Sequence, residues 1–313
     1  MVSEFQFINH VKKRFSLDHL GDDCAVLAKD AATDLLITAD ILIEDIDFRL
    51  EWATPEQIGH KALAVSLSDI AAMGGTPTGA LLSIGVPQEL WGDGFAERFY
   101  NGWHELASKF SVELVGGDTS MSPDKFVVDS IVLGEVPKGT AVLRSGAQPA
   151  DAIFVTGTLG GPHLGLRLLE SQTPYSALQS IIERQLLPTP QVALGKRLRE
   201  LGIITSMIDL SDGLASDLGH ICEASGVGAV LEAAAIPIDP RLFEILSFDE
   251  SLEAALSGGE DFELLFTVAE SDVSILVDLS VTRIGTITSE PRKLEIIRNG
   301  NTEPLTPSGF RHF

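Results

Sequence analysis

The stretch TPEQIGHKALAVSLSDIAAMGG, residues 54–75, reads as one helix with both of its ends specified locally. Thr54 can cap, Pro55 takes the first helical position, Gln57 completes a capping box, and Gly74-Gly75 ends the helix after Met73. Around it lie short apolar or alternating runs bounded by Gly, Pro and Asp, which read as strands: Leu35 to Ile37, Gly79 to Val86, Val112 to Val115, Phe126 to Val136 and Ile153 to Thr156. A second helix is expected from about Gly94 to Phe110. Strands alternating with helices give an α/β (α+β) fold.

Near residue 137 the texture changes to Pro137-Lys138-Gly139-Thr140 and then Arg144-Ser145-Gly146-Ala147-Gln148-Pro149, a polar connection with little periodicity. The expected organisation is a first domain over residues 1–137, a linker over 138–149 and a second domain over 150–313. The second half restarts with a strand at Ile153 and a Gly-rich bend at Gly157 to Gly161. Helices follow near Pro162 to Glu170, Pro190 to Leu201 and Asp212 to Ser225, then strands at Phe262 to Val268 and Leu294 to Arg298.

With 313 residues, 44% hydrophobic and 21% charged, the chain is long enough for two cores. Its 22 basic and 45 acidic residues give a formal net charge of −23, which argues against nucleic acid or an anionic membrane as a partner. The two cysteines, Cys24 and Cys222, have no zinc or disulfide spacing and read as buried, reduced thiols. No apolar block precedes a cleavage site near the start, and no run approaches the roughly 20 apolar residues of a membrane span, so a cytoplasmic location is expected.

Acids recur at the ends of the apolar runs: Asp22-Asp23, Asp40, Asp69, Asp118 and the Asp209-Leu210-Ser211-Asp212-Gly213 segment. Crowded carboxylates repel by roughly 4 kcal/mol per close pair at an effective dielectric near 20, so they call for cations. Hard oxygen ligands with few His or Cys partners suit magnesium shared with a substrate's phosphates. Asp69 continues the apolar stripe of Ile58, Ala62 and Val65 and stands near a helix C-terminus, where the dipole disfavours an anion. The competing reading is a solvent-facing Asp at a helix end.

Gly116-Gly117-Asp118-Thr119-Ser120 reads as a close-approach ligand turn or as a plain tight turn. Asp209 and Ser211 share one face of an extended segment, and Asp212 can start a helix whose free N–H groups would take an anion. Arg144 suits a bidentate phosphate contact, or a surface tether. Glu44 and Asp45 read as a solvated loop, His220 as a packing residue, and Ser257-Gly258-Gly259-Glu260-Asp261 as a flexible strand entry, with structural capping the alternative. Walker, dinucleotide-binding and protein-kinase motifs are absent.

Taken together, Gly21-Asp22-Asp23-Cys24-Ala25-Val26, the run Lys61 to Gly74, Gly116-Gly117-Asp118-Thr119, Arg144-Ser145-Gly146-Ala147, Ile208 to Leu214 and Gly258 to Leu264 resemble the thiamine-monophosphate kinase family, in order and over nearly the whole chain. The resemblance implies a two-domain fold shared with aminoimidazole ribonucleotide synthetase. Its N-terminal mixed sheets pair across a homodimer, and its C-terminal domain is an α/β sandwich.

It implies several magnesium ions on Asp23, Thr38, Asp40, Asp69, Asp118, Asp209 and Asp212, and ATP at Gly117, Asp118, Arg144 and Ser211. Thiamine monophosphate would meet Asp47, Glu260 and Phe310. Ala39 stands where the family commonly has a hydroxyl, Asp47 where it usually has His, and Gly160-Gly161-Pro162 replaces a usual Gly-Asp. The expected reaction is direct transfer of the ATP γ-phosphoryl to thiamine monophosphate, with no catalytic base.

Selenophosphate synthetase is disfavoured because no Cys precedes Cys24, and a hydrogenase-maturation relative because the chain ends His312-Phe313. Aminoimidazole ribonucleotide synthetase chemistry and a non-catalytic nucleotide-binding module remain as alternatives.

Overall fold

The structure, a computed structural model, describes residues 4–15, 17, 20–171, 178–306 and 308–310; the terminal His312-Phe313 lies outside them. The first half runs α1 (Glu4–Phe15), β1 (Ala25–Ala28), β2 (Thr33–Ile43), α2 (Pro55–Ala72), β3 (Thr76–Pro87), the single turn α3 (Gln88–Trp91), α4 (Phe95–Phe110), β4 (Glu113–Ser122) and β5 (Val127–Pro137). The second runs β6 (Ala152–Thr156), α5 (Gly161–Ser171), α6 (Gln179–Leu186), α7 (Val192–Leu201), β7 (Ile204–Asp209), α8 (Leu214–Ser225), β8 (Gly228–Glu232), α9 (Phe248–Ser257), β9 (Leu264–Val268), β10 (Val281–Thr288), β11 (Leu294–Arg298) and β12 (Asn301–Pro304). Each half builds one mixed sheet, ordered β1-β2-β5-β3-β4 and β12-β11-β8-β10-β6-β9-β7.

Helix α2 forms as its ends dictate: the Thr54 hydroxyl accepts from Gln57 N–H while the Gln57 side chain returns to Thr54 N–H. It lies between the two sheets. Ile58, Leu63, Leu67 and Ile70 are buried in one cluster with Leu82, Phe99 and Val128 of the first half and with Leu198, Met207 and Phe266 of the second. A second core, including Ile153, Leu164, Ile208, Leu218 and Leu252, belongs to the second half alone.

Glycines let α2 and α4 cross closely. A Cβ on Gly59 would lie 2.0 Å from the Phe99 carbonyl oxygen, and one on Gly102 would lie 1.9 Å from that of Glu56. Gly102→Ala is therefore expected to push the helices apart and to destabilise the fold by about 1–3 kcal/mol, beyond any gain in helix propensity. Urea unfolding checks this: the midpoint should fall with the slope unchanged.

Several expectations need correcting. Asp40 does not close a strand; β2 continues to Ile43 because its whole length pairs antiparallel with β5, Asp40 opposite Ser130. Likewise Gly116 to Ser120 is not a turn but the middle of β4, which runs parallel to β3. A parallel neighbour requires the long crossover that α3 and α4 supply. The strand expected from Phe262 begins at Leu264, and the helix expected from Asp212 begins at Leu214.

Candidate functional site

Three acids from distant parts of the chain meet where α2 faces both sheets: Asp23, Asp69 and Asp209 bring carboxylate oxygens within 4.8 Å of one another. Hydroxyls aim Asp69, Asp209 and their neighbour Asp40. Ser68 Oγ donates to Asp209 at 2.6 Å, Ser66 Oγ to Asp40 at 2.7 Å, and Thr38 Oγ1 to Asp69. Thr38 and Asp40 are two apart on β2 and so share the face that packs on α2.

The electrostatics are those of a site short of positive charge. Burial raises the Asp69 carboxyl well above the carboxylate range, and Asp40, Asp209 and Asp23 raise it further. Burial and Asp23 push Asp209 up to about 7, while burial lifts Asp40 to about 6. Asp23 is raised by burial against the pull of Arg144, whose Nε donates to it at 3.0 Å. Its second oxygen, Oδ2, is buried without a hydrogen-bond partner among the described residues. Three hard carboxylates, one with an unpaired buried oxygen, fit a divalent cation of the magnesium type.

The structure arranges the remaining candidates less uniformly. Arg144 turns one edge of its guanidinium, Nε and Nη2, to Asp23 and its backbone N–H to Asp22 Oδ1 at 2.8 Å, so that edge is not open to an anion. The N–H groups of Asp212 and Gly213 are likewise not open to an anion, since the buried Asp217 carboxylate accepts both, at 3.2 and 3.1 Å. Asp212 and Asp217 form a separate group with His220. Ser211 spends its carbonyl on Glu260 N–H.

Asp118 is not brought to the acidic trio. Strand register aligns Asp118 with Ser83 and Asp129, and Asp129 is the neighbour of Ser130, which pairs with Asp40. Successive residues of a strand face opposite ways, so Asp118 stands on the sheet face opposite Asp40. Beside it, Gly117 has φ +150°, and a Cβ there would lie 1.9 Å from the Leu82 carbonyl oxygen, so no larger residue fits. An open cleft runs along this edge, lined by Tyr100, Gly116, Gly117, Asp118 and Thr119.

Asp47 closes a turn, its Oδ2 accepting Ile43 N–H at 2.8 Å. Glu260 is paired with Lys61, and Phe310, 48% exposed, donates its N–H to the Asp212 carbonyl. Glu44 is no solvated loop residue: its side chain accepts Phe126 N–H at 2.8 Å. Cys24 and Cys222 are buried free thiols, as expected.

Sequence reasoning gave no role to Ser66, Ser68, Lys61, Asp129 or Asp217. The hydroxyls flanking Asp69 on α2 were a visible signal; the others depend on pairings that only the fold brings about.

The AIR synthase related protein family matches this chain in both its parts, the N-terminal domain over residues 21–136 and the C-terminal domain over residues 148–297. A thiamine-monophosphate kinase of Bacillus subtilis is 37% identical across all of this chain and all of its own length. The chain belongs to the thiamine-monophosphate kinase family. The Escherichia coli K12 member is 38% identical over 94% of this chain and 91% of its own. Among solved structures, AaThiL complexed with AMPPCP and TMP superposes with a TM-score of 0.89 and 32% identity, covering 100% of this chain and 97% of that one. Membership in the family agrees with the two mixed sheets and with the fold expected from the motifs.

Proposed function

We propose that the protein transfers the γ-phosphoryl group of ATP to the phosphate of thiamine monophosphate, giving thiamine diphosphate and ADP. The observation that carries this reading is the convergence of Asp23, Asp69 and Asp209, drawn from both halves, around an unpaired carboxylate oxygen. It is joined to full-length likeness to kinases of this name and to a structure holding an ATP analogue with TMP.

Magnesium ions, held by Asp23, Thr38, Asp40, Asp69 and Asp209 and further by Asp118 and Asp212, would supply charge neutralisation between the two anionic substrates. The chain's own residues bind and orient. Gly117 lets the backbone of β4 approach the nucleotide, Arg144 and Ser211 serve its phosphates, and Asp47, Glu260 and Phe310 border the acceptor. No side chain acts as base, because a phosphate monoester with a second pKa near ~6 is already mostly dianionic at pH 7. The γ-phosphoryl group passes directly between substrates, with bond breaking to ADP and bond making to the acceptor phosphate in line.

Residues 1–137 would form the nucleotide-binding unit and 150–313 its partner, joined by 138–149. The outer face of the first sheet carries an apolar group, Ile37, Leu81, Ile131 and Leu133 beside Ile41, which is 59% exposed, with Asp129 and Ser83 on the same face. An exposed apolar group on the outer face of a sheet is suited to pairing with a second copy, and Asp118 stands on that face. No helix among the described residues is long and apolar enough to cross a membrane, and the reading assigns the enzyme to the cytoplasm.

Purified protein incubated with ATP, magnesium and thiamine monophosphate should yield thiamine diphosphate on chromatography. ATP that binds without turnover would instead favour a binding module, and label from ATP left on the protein in the absence of acceptor would exclude direct transfer.

A further inference from the structure

We infer that Lys61 is a positioning residue that assembles the acceptor end of the site, its ammonium tying the Asp47 turn of the first half to the Glu260 loop of the second. The inference deepens the proposed function and rests on its assignment of Asp47 and Glu260 to the acceptor substrate.

Lys61 lies on α2 and is only 4% exposed. A desolvated ammonium is costly unless paired, so its buried place on α2 calls for a reason. Its partners supply one. Lys61 Nζ is 2.6 Å from Glu260 Oε1 and donates to the Asp47 carbonyl at 3.1 Å. Two groups 213 positions apart in the chain (260 minus 47) thus converge on one charge.

Both tethered segments are stiff, so the distance Lys61 sets between them is passed on. The Asp47 turn is closed by its own carboxylate on Ile43 N–H. Lys61 reaches that turn through the Asp47 carbonyl. Glu260 has φ +68°, a conformation that L residues adopt only when their surroundings impose it. Its N–H donates to Ser211 O at 2.7 Å and Phe262 N–H to Leu210 O at 2.8 Å, which zips the loop against the segment following Asp209. The Gln185 side-chain amide donates to Glu260 Oε2, so both carboxylate oxygens are engaged. Through this chain of contacts Lys61 also fixes the acceptor end relative to the carboxylate trio.

The test is steady-state kinetics on full-length Lys61→Met, with thermal unfolding alongside. Losing one charge-assisted contact at each tether is expected to raise the KM for thiamine monophosphate about tenfold, while the KM for ATP moves less than about twofold. Lys61→Gln, which keeps a donor for the Asp47 carbonyl, should fall between wild type and Lys61→Met, and it carries the test if Lys61→Met does not fold. A lower melting temperature with both KM values unchanged, or equal rises in both, would overturn the inference and leave Lys61 a structural ion pair. Failure of the parent reading is distinct: the wild-type protein would then form no thiamine diphosphate at all.

Discussion

Asp69→Asn is expected to leave the protein folded and somewhat more stable without divalent cation, yet nearly inert as a kinase. The Asp69 carboxyl is held well above its ordinary range, first by burial and then by Asp40, Asp209 and Asp23, so the ionised form works against the fold. An amide keeps the shape and can still accept the Thr38 hydroxyl while removing the charge. Relief of the repulsion should add about 1–2 kcal/mol to urea stability measured with a chelator present. Turnover at saturating ATP and magnesium should fall by about 10²–10³-fold, the scale of losing one preorganised electrostatic contact to the transferring group. A near-normal rate in a folded variant would remove Asp69 from the site. Opposite movements of stability and rate are the signature of a group retained for function.

The second large effect is a cation-dependent pH profile of stability. Burial puts Asp209 at about 7 and, in the second half, Asp261 at about 8. Unfolded carboxyls titrate near ~4, so between that value and the folded ones the native state holds more protons and stability falls as pH rises. His220, depressed to about 4 by burial, acts the opposite way below its unfolded value near ~6.5, which sets the useful window above that pH.

Without divalent cation, stability should drop by about 2–3 kcal/mol between pH 6.5 and 8.5. Magnesium should abolish the share due to Asp209 and its neighbours, which bind it ionised, and leave the share due to Asp261, which is hydrogen-bonded to Gly160 N–H. Thermal unfolding with and without magnesium at both pH values decides it. An equal cation-induced shift at the two values would count against the carboxylate cluster as the binding site.

What could be read from residues alone was what is decided locally. Helix α2 appeared with its cap, its capping box and its end because Thr54, Pro55, Gln57 and Gly74 act within a turn of themselves. Strand β11 was delimited by its own apolar run. Strands β8, β10 and β12 escaped notice, and β7 showed only as an extended segment at Asp209, since four to eight residues of partial alternation do not stand out until a neighbour pairs with them. The acids were recognisable as a set, but not their arrangement. Arg144 lies 121 positions from Asp23, and nothing near either residue announces the pair. The side on which Asp118 falls depends on a register shift between Ala80 and Leu81, which no local pattern encodes.

The position of α2 between the sheets also bears on how the chain could be cut. Ser68 meets Asp209, His60 meets the Pro188 carbonyl at 2.8 Å, and a Cβ on Gly195 would lie 2.1 Å from the Ala71 carbonyl oxygen. A fragment stopping at residue 137 would carry this surface bare, and one starting at 150 would lack the helix that completes its packing. Neither is an autonomous piece. A nick within residues 138–149 is another matter, since the two fragments would present matching faces and should reassociate into a working protein. The divide between the family's two parts is thus a seam in sequence, crossed in three dimensions by the helix on which the site is built.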